Sequence, residues 1–202
     1  MRPRRAEHAS VAWNITKTVV WLVTFQAIAL VIIPWTIMQL HWAIGDNRLG
    51  FDPPRLTAIV LFAIFGVGHL VSAMMLAVMG RGTPLWCDAP RRLVTVGPYA
   101  RVRNPMVVTA LGQAFAVGLY GGSVLLFLYA VLGLILWSLV ARRGEEKELI
   151  RYFGRPYEIY RRGVPLLVPR ASMWKPVDDA PTRTLVVSDE GGFIKGRRRR
   201  TS

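Results

Sequence analysis

Four apolar runs leave this chain few ways to fold: Ile15 to Trp42, Leu56 to Met79, Pro105 to Tyr120 and Ser123 to Ala141. A bilayer core about 30 Å thick needs about 20 largely apolar helical residues, or about 17 at the short end. The first two runs exceed that length, the fourth meets it and the third is short. Gly121-Gly122 is all that separates the third run from the fourth. Glycine accepts backbone angles that other residues resist, so the pair reads as a tight antiparallel helical hairpin.

Composition sharpens this picture, because 52% of residues are hydrophobic while the formal net charge is +14. Charge and apolar surface must therefore occupy different stretches. The first run is too long for a signal-peptide core and no small-residue cleavage pattern follows it, so it is expected to be a retained span. Arg2, Arg4 and Arg5 precede it, whereas the next loop mixes Asp46, Arg48, Asp52 and Arg55. The loop before the third run holds Arg81, Arg91, Arg92, Arg101 and Arg103 against Asp88, and most other arginines follow the fourth run. Basic segments mark the cytoplasmic side. The expected architecture is an all-α membrane protein of about four transmembrane helices, with a tight helical hairpin and a cytoplasmic C-terminal helical segment. Both termini are expected to be cytoplasmic, and the short loops without sorting signals suggest a prokaryotic plasma membrane.

Beyond Arg142 the chain divides again. Glu146, Leu149, Ile150, Phe153, Tyr157 and Tyr160 recur at three- and four-residue steps and would share one helical face. Gly154 can end a first helix and Pro156 can begin a second. After Val164-Pro165 the sequence turns rich in Pro, Asp, Gly and Arg, and it closes on the run Arg197 to Arg200. Such a stretch cannot bury enough apolar surface to order itself. With four apolar runs before it and no interleaved aromatics, the arginine run is expected to meet anionic lipid rather than nucleic acid. Cys87 is the single cysteine, so no intrachain disulfide can form, and it reads as an ordinary small side chain.

Topology then concentrates chemistry. If runs three and four fold back on each other, the start of one and the end of the other are neighbours, bringing Arg103 and Asn104 to Glu145 and Glu146. The first N–H groups of a helix are unpaired and carry partial positive charge, which suits a carboxylate or phosphate. Paired glutamates offer the opposite character, accepting from hydroxyls or an amine. One pocket can then hold a zwitterion. Singly, each residue has a plainer role: an arginine at a helix end snorkels to the headgroups, and glutamates favour a first helical turn. In the second run, Gly66-Val67-Gly68-His69 places an ionisable side chain at membrane depth. It reads first as a neutral histidine bonding a neighbouring helix beside close-packing glycines, and second as a polar group on the substrate side.

The stretches Leu93 to Tyr99, Val102 to Met106, Glu145-Glu146, Phe153 to Arg162 and Val164-Pro165 together resemble the isoprenylcysteine carboxyl methyltransferase family and the related phospholipid methyltransferases. The resemblance implies an integral membrane enzyme that moves a methyl group from S-adenosylmethionine, bound on the cytoplasmic side, to a lipophilic small-molecule or lipid substrate. It divides the chain into an N-terminal membrane region (1–92), a methyltransferase-like core (93–169) and a disordered basic tail (170–202). The family's Arg-His-Pro motif falls on Arg103, Asn104 and Pro105, and its paired glutamates on Glu145 and Glu146. Catalytic roles are thereby implied for Arg103, Asn104 and Glu146, and cofactor contacts for Tyr99, Arg103, Asn104, Pro105, Glu145, Glu146 and Tyr157, with no metal. Asn104 stands in place of the family's histidine, so it offers an amide that donates and accepts but no imidazole. Val107 and Thr109 stand where tyrosine and glycine are common. A carboxylate, thiol or amine acceptor remains open, as do an NADPH-dependent membrane reductase of the sterol reductase type and a non-catalytic membrane protein retaining the fold.

Overall fold

The computed structural model describes residues 10–44, 54–83 and 90–174. Cys87, Arg2, Arg4, Arg5, Asp46, Arg48, Asp52, Asp88 and the run Arg197 to Arg200 lie outside them. Every element among the described residues is helical.

Helix α1 (Val11–Gln26) starts at Ser10, whose Oγ accepts from the Trp13 backbone N–H at 3.2 Å. This is an N-cap that satisfies one of the free donors of a first turn. The helix continues through a π-helical stretch, Ala27–Ile32, into α2 (Ile33–Ile44). Pro34 explains the wide turn, because it brings no N–H to the carbonyls one turn back and its ring crowds them. One of those carbonyls, that of Ala29, instead accepts from the Tyr129 hydroxyl at 2.9 Å. Helix α3 (Arg55–Val78) follows, and a 3₁₀ turn (Gly97–Ala100) leads to α4 (Pro105–Gly121). Proline is pre-organised for the first helical position. Gly122, left-handed at φ 59°, closes α4 where a side chain would be strained.

Helix α5 (Val124–Leu136) does not stop where its apolar run ends. It passes through a π-helical stretch, Trp137–Ala141, directly into α6 (Arg142–Phe153), and the axis bends by 45° between Val124–Leu139 and Gly144–Phe153. Gly154, at φ +56°, then separates α6 from α7 (Arg155–Gly163), with Pro156 in the first turn of α7. Two helices, Val11–Ala43 and α3, are long and apolar enough to cross a bilayer, and the bent pair makes a third if it is one span. Helix α4 is apolar but shorter, at 17 residues, or about 25 Å of rise.

The packing is inverted relative to a water-soluble bundle. Large apolar side chains such as Ile64, Val67, Leu128 and Leu132 point outward, while Ala58, Ala73, Ala77, Ala116, Ala130, Ser72 and Gln113 are buried. In lipid the outward residues lose nothing by exposure, and small inward residues let backbones approach closely. The seam between α3 and α4 shows this most clearly. A Cβ on Gly68 would lie 3.1 Å from Thr109 Cγ2, and one on Gly112 would lie 2.4 Å from the Phe65 ring. At the polar end of the bundle, α6 and α7 bury Phe153, Tyr157, Tyr160 and Val164 as one cluster, against Leu93, Leu149 and Trp174.

Gly112→Ala is therefore expected to destabilise the bundle by roughly 1–3 kcal/mol, the range for overpacking a filled site. Combining it with Phe65→Leu should restore part of the loss. Thermal unfolding of the single and double variants in detergent checks this, and identical midpoints for the two would show that Phe65 is not the obstacle.

Candidate functional site

The start of α4 and the start of α6 meet, as the hairpin requires, and a charged pair joins them. Arg103 Nη1 donates to Glu146 Oε1 at 2.6 Å, and the two side chains are only 11% and 20% exposed. The same Nη1 is 3.4 Å from the Tyr157 hydroxyl, and the more exposed Arg161 reaches Glu146 Oε2 at 3.9 Å. Arg103 is thus an inward residue rather than a snorkelling anchor. Its Nε is buried and has no hydrogen-bond partner. A guanidinium held by a carboxylate at Nη1 thus keeps Nε as an unused donor.

Backbone hydrogen bonds fix this arrangement from behind. The Arg103 and Asn104 N–H groups donate to the carbonyls of Pro165 and Leu166 at 2.9 and 3.2 Å. The Arg170 and Trp174 N–H groups donate to Arg101 and Ala100 at 3.0 and 2.8 Å. The returning segment 165–174 therefore clasps the residues that precede α4. The two backbone donors just before α4 are thus taken by carbonyls, and the first helical residue, Pro105, has no N–H to offer. Asn104 makes no side-chain cap to α4. It is instead among the residues that line the cavity.

That cavity is about 640 Å³, within the roughly 300–1,000 Å³ typical of small-molecule sites. Polar residues of its lining include Tyr99, Arg103, Asn104, Glu145, Glu146, Tyr157 and Tyr160, beside Pro105, and more apolar ones include Trp21, Phe25, Leu30, Ala110, Ala114, Tyr129 and Leu134. All seven residues expected to contact a cofactor therefore line one space. Tyr160 donates its hydroxyl to the Tyr99 carbonyl at 2.7 Å, and Tyr99 donates to the Ser72 carbonyl at 3.2 Å. Burial raises the titration of Tyr99, Tyr157 and Tyr160 above the ordinary phenol value, the Arg103 hydrogen bond opposing the shift at Tyr157. All three stay neutral near pH 7, so they act as hydrogen-bonding phenols rather than bases.

Sequence reasoning missed the contributions of α1 and of the inner walls. Gln26 donates to Gln113 at 3.3 Å, and Gln113 is 1% exposed. A glutamine within each of two apolar runs was the available signal, since polar groups at membrane depth seek partners. His69 bonds the neighbouring helix as expected, with Nδ1 3.1 Å from the Met106 carbonyl and 3.0 Å from Thr109 Oγ1. Thr109 thereby acquires a role that a glycine could not fill.

Comparison with known proteins points the same way. Residues 55–156, half of the chain, match the phospholipid methyltransferase family. Methanethiol S-methyltransferase 2 of Bradyrhizobium diazoefficiens is 30% identical over 167 residues, which cover 83% of this chain and 56% of that protein. Protein-S-isoprenylcysteine O-methyltransferase of Schizosaccharomyces pombe is 41% identical over 83 residues, 38% of this chain and 33% of that protein. The chain thus matches about half of the first relative's length and a third of the second's.

Replacing Glu146 by Leu strands the Arg103 guanidinium, and the expected cost is about 3 kcal/mol, the low end for a buried pair broken on one side. Adding Arg103→Met should recover most of it. Unfolding midpoints of the four proteins in detergent measure the coupling, and strictly additive losses would mean the two side chains act independently.

Proposed function

Because the chain belongs to the phospholipid methyltransferase family, we propose that it is an integral membrane enzyme transferring a methyl group from S-adenosylmethionine to a lipophilic acceptor at the cytoplasmic membrane face. The observation that carries this reading is the donor set around one cavity: an ion-paired arginine with an orphaned Nε, an uncapping asparagine amide and two glutamates. These groups fit a molecule bearing a carboxylate, an ammonium and ribose hydroxyls. Arg103 and Asn104 would take the carboxylate, and Glu145 and Glu146 would accept from the ammonium or the hydroxyls. Pro105, Tyr99 and Tyr157 would shape the walls around them.

When bound, S-adenosylmethionine supplies a methyl group already activated by its sulfonium. The protein's share of the work is then chiefly alignment. Effective concentrations of aligned groups account for several kcal/mol of barrier without any further chemistry. The Arg103–Glu146 pair holds the start of α4 against α6, and the 165–174 clasp holds it from the other side. The inner cavity, walled by Phe25, Leu30, Ala110 and Leu134, excludes water and receives an apolar chain. In this reading the four helical rods all cross the bilayer, α4 sinking its short length beneath the loop that precedes it, and α6 and α7 lie on the cytoplasmic side. The arginine-rich tail adds contacts with anionic lipid. Family membership favours methyl transfer over a nicotinamide reductase.

Isothermal titration of the detergent-purified protein with S-adenosylhomocysteine tests the reading. Saturable binding is expected, weakened at least tenfold in Glu146→Gln and in Asn104→Ala, with unfolding midpoints that show both variants folded. If the folded parent binds none of it, the methyl-transfer reading fails and NADPH is the next ligand to try.

A further inference from the structure

One buried polar atom at the cavity takes no part in the contacts assigned above. His69 sits in α3, is 3% exposed and lines the cavity. A carbonyl oxygen only accepts, so the contact of Nδ1 with the Met106 carbonyl requires that Nδ1 carry the hydrogen. The Thr109 hydroxyl donates to the Pro105 carbonyl at 2.8 Å, which leaves its lone pair turned to the same Nδ1–H. The neutral ring then presents Nε2 as a lone pair. That atom is buried and has no hydrogen-bond partner. Native structures rarely leave such an acceptor without one, and an exception asks for a ligand.

The surroundings say what kind of ligand. A second cavity, about 240 Å³, lies between α1 and α3, is walled by Val19, Leu22, Val23 and Leu70, and shares Gln26 and His69 with the main one. His69 thus stands where an apolar cleft reaches the chamber proposed for the acceptor. Among the described residues lining the main cavity it is the only imidazole, and the glutamates of that lining lie on another helix, α6.

We infer that His69 Nε2 is the proton acceptor for the methyl-accepting molecule, and that this molecule is an alkyl thiol whose S–H donates to Nε2. The inference rests on the methyl-transfer reading and adds the acceptor class. An ionised carboxylate has no hydrogen to donate and would set its charge against a lone pair. An ammonium would have to shed its hydration in an apolar cleft. A cysteine thiol gives up its proton about two pH units above a free imidazole and a plain alkyl thiol higher still, so the transfer runs uphill and is drawn forward as methyl transfer consumes the thiolate. In the step the S–H bond breaks, an N–H bond forms at Nε2 and the electron pair remains on sulfur as the thiolate nucleophile. The imidazolium keeps its Nδ1–H on the Met106 carbonyl, now a charge-assisted bond. The proton returns to solvent through the cavity mouth after turnover.

His69→Asn separates the two ring nitrogens, because its amide nitrogen can replace Nδ1–H toward the Met106 carbonyl while Nε2 is lost. Expected are an unchanged unfolding midpoint, unchanged S-adenosylhomocysteine affinity, and methylation of octanethiol lowered about 100-fold or more, as for removal of a general base. Methanethiol run in parallel tells a small thiol from a chain-bearing one. On the parent protein without cofactor, nitrogen NMR of labelled histidine, assigned by the same variant, should show Nε2 unprotonated and its resonance moved by octanethiol but not by octanoate. Parent-like octanethiol methylation in the variant, a protonated Nε2 in the parent, or methylation of octanoate in preference to both thiols would each overturn the inference. A parent that binds no S-adenosylhomocysteine would instead remove the methyl-transfer reading on which it stands, whereas a parent that binds it yet methylates no thiol overturns only the acceptor assignment.

Discussion

The ion pair between Arg103 and Glu146, 2.6 Å long and mostly shielded from water, joins two points 43 residues apart and defines the mouth of the cavity. It exists because α4 and α5 fold back on each other at Gly122, which returns the chain to the end where it began. Two partly buried charges gain little net stability over an apolar pair, since desolvation offsets attraction. Their value here is positional. Arg103 held by one edge keeps its remaining donors aimed at one place, and Glu146 fixes the start of α6 against α4 across the bend. The 165–174 segment completes the frame by taking the backbone donors of Arg103 and Asn104.

Beneath that mouth, polar atoms run along the inside of an otherwise apolar bundle. Gln26 with Gln113, His69 with Met106 and Thr109, Tyr129 with Ala29, and His41 with Ser123 at 3.2 Å each link helices distant in sequence. In lipid an unpaired polar group has no water to turn to, so such links orient helices that apolar contacts alone would leave free to rotate. The close seam of Gly68 on Thr109 and Gly112 on Phe65 brings α3 near enough for His69 to reach the first turn of α4. Packing of small residues thereby places the His69 imidazole beside the cavity.

Much of this was legible in the residue order. The apolar runs located the helical rods within a few residues, Gly121-Gly122 located the hairpin, and the three- and four-residue steps from Glu146 to Tyr160 located the face that α6 and α7 bury. The seven residues expected around a cofactor do line one cavity. What could not be read was the continuation of α5 through a π-helical turn into α6, because a change from apolar to charged residues alters the solvent of a helix without ending it. The capture of the donors before α4 by Pro165 and Leu166 was equally hidden, since an irregular segment has no period to betray its partner.

The sequence by itself determined where the apolar helices start and which ends come together, because these follow from local rules: proline at first turns and in the π-bent rod, glycine where φ is positive, and apolar length against bilayer thickness. Tertiary structure alone decided which polar atoms find partners. Whether Arg103 meets Glu146, whether Asn104 faces a helix end or a cavity, and whether His69 keeps one nitrogen unbonded all depend on the rotation of each helix and the close approach of distant segments. Those are set by packing in three dimensions, which no local pattern of residues encodes.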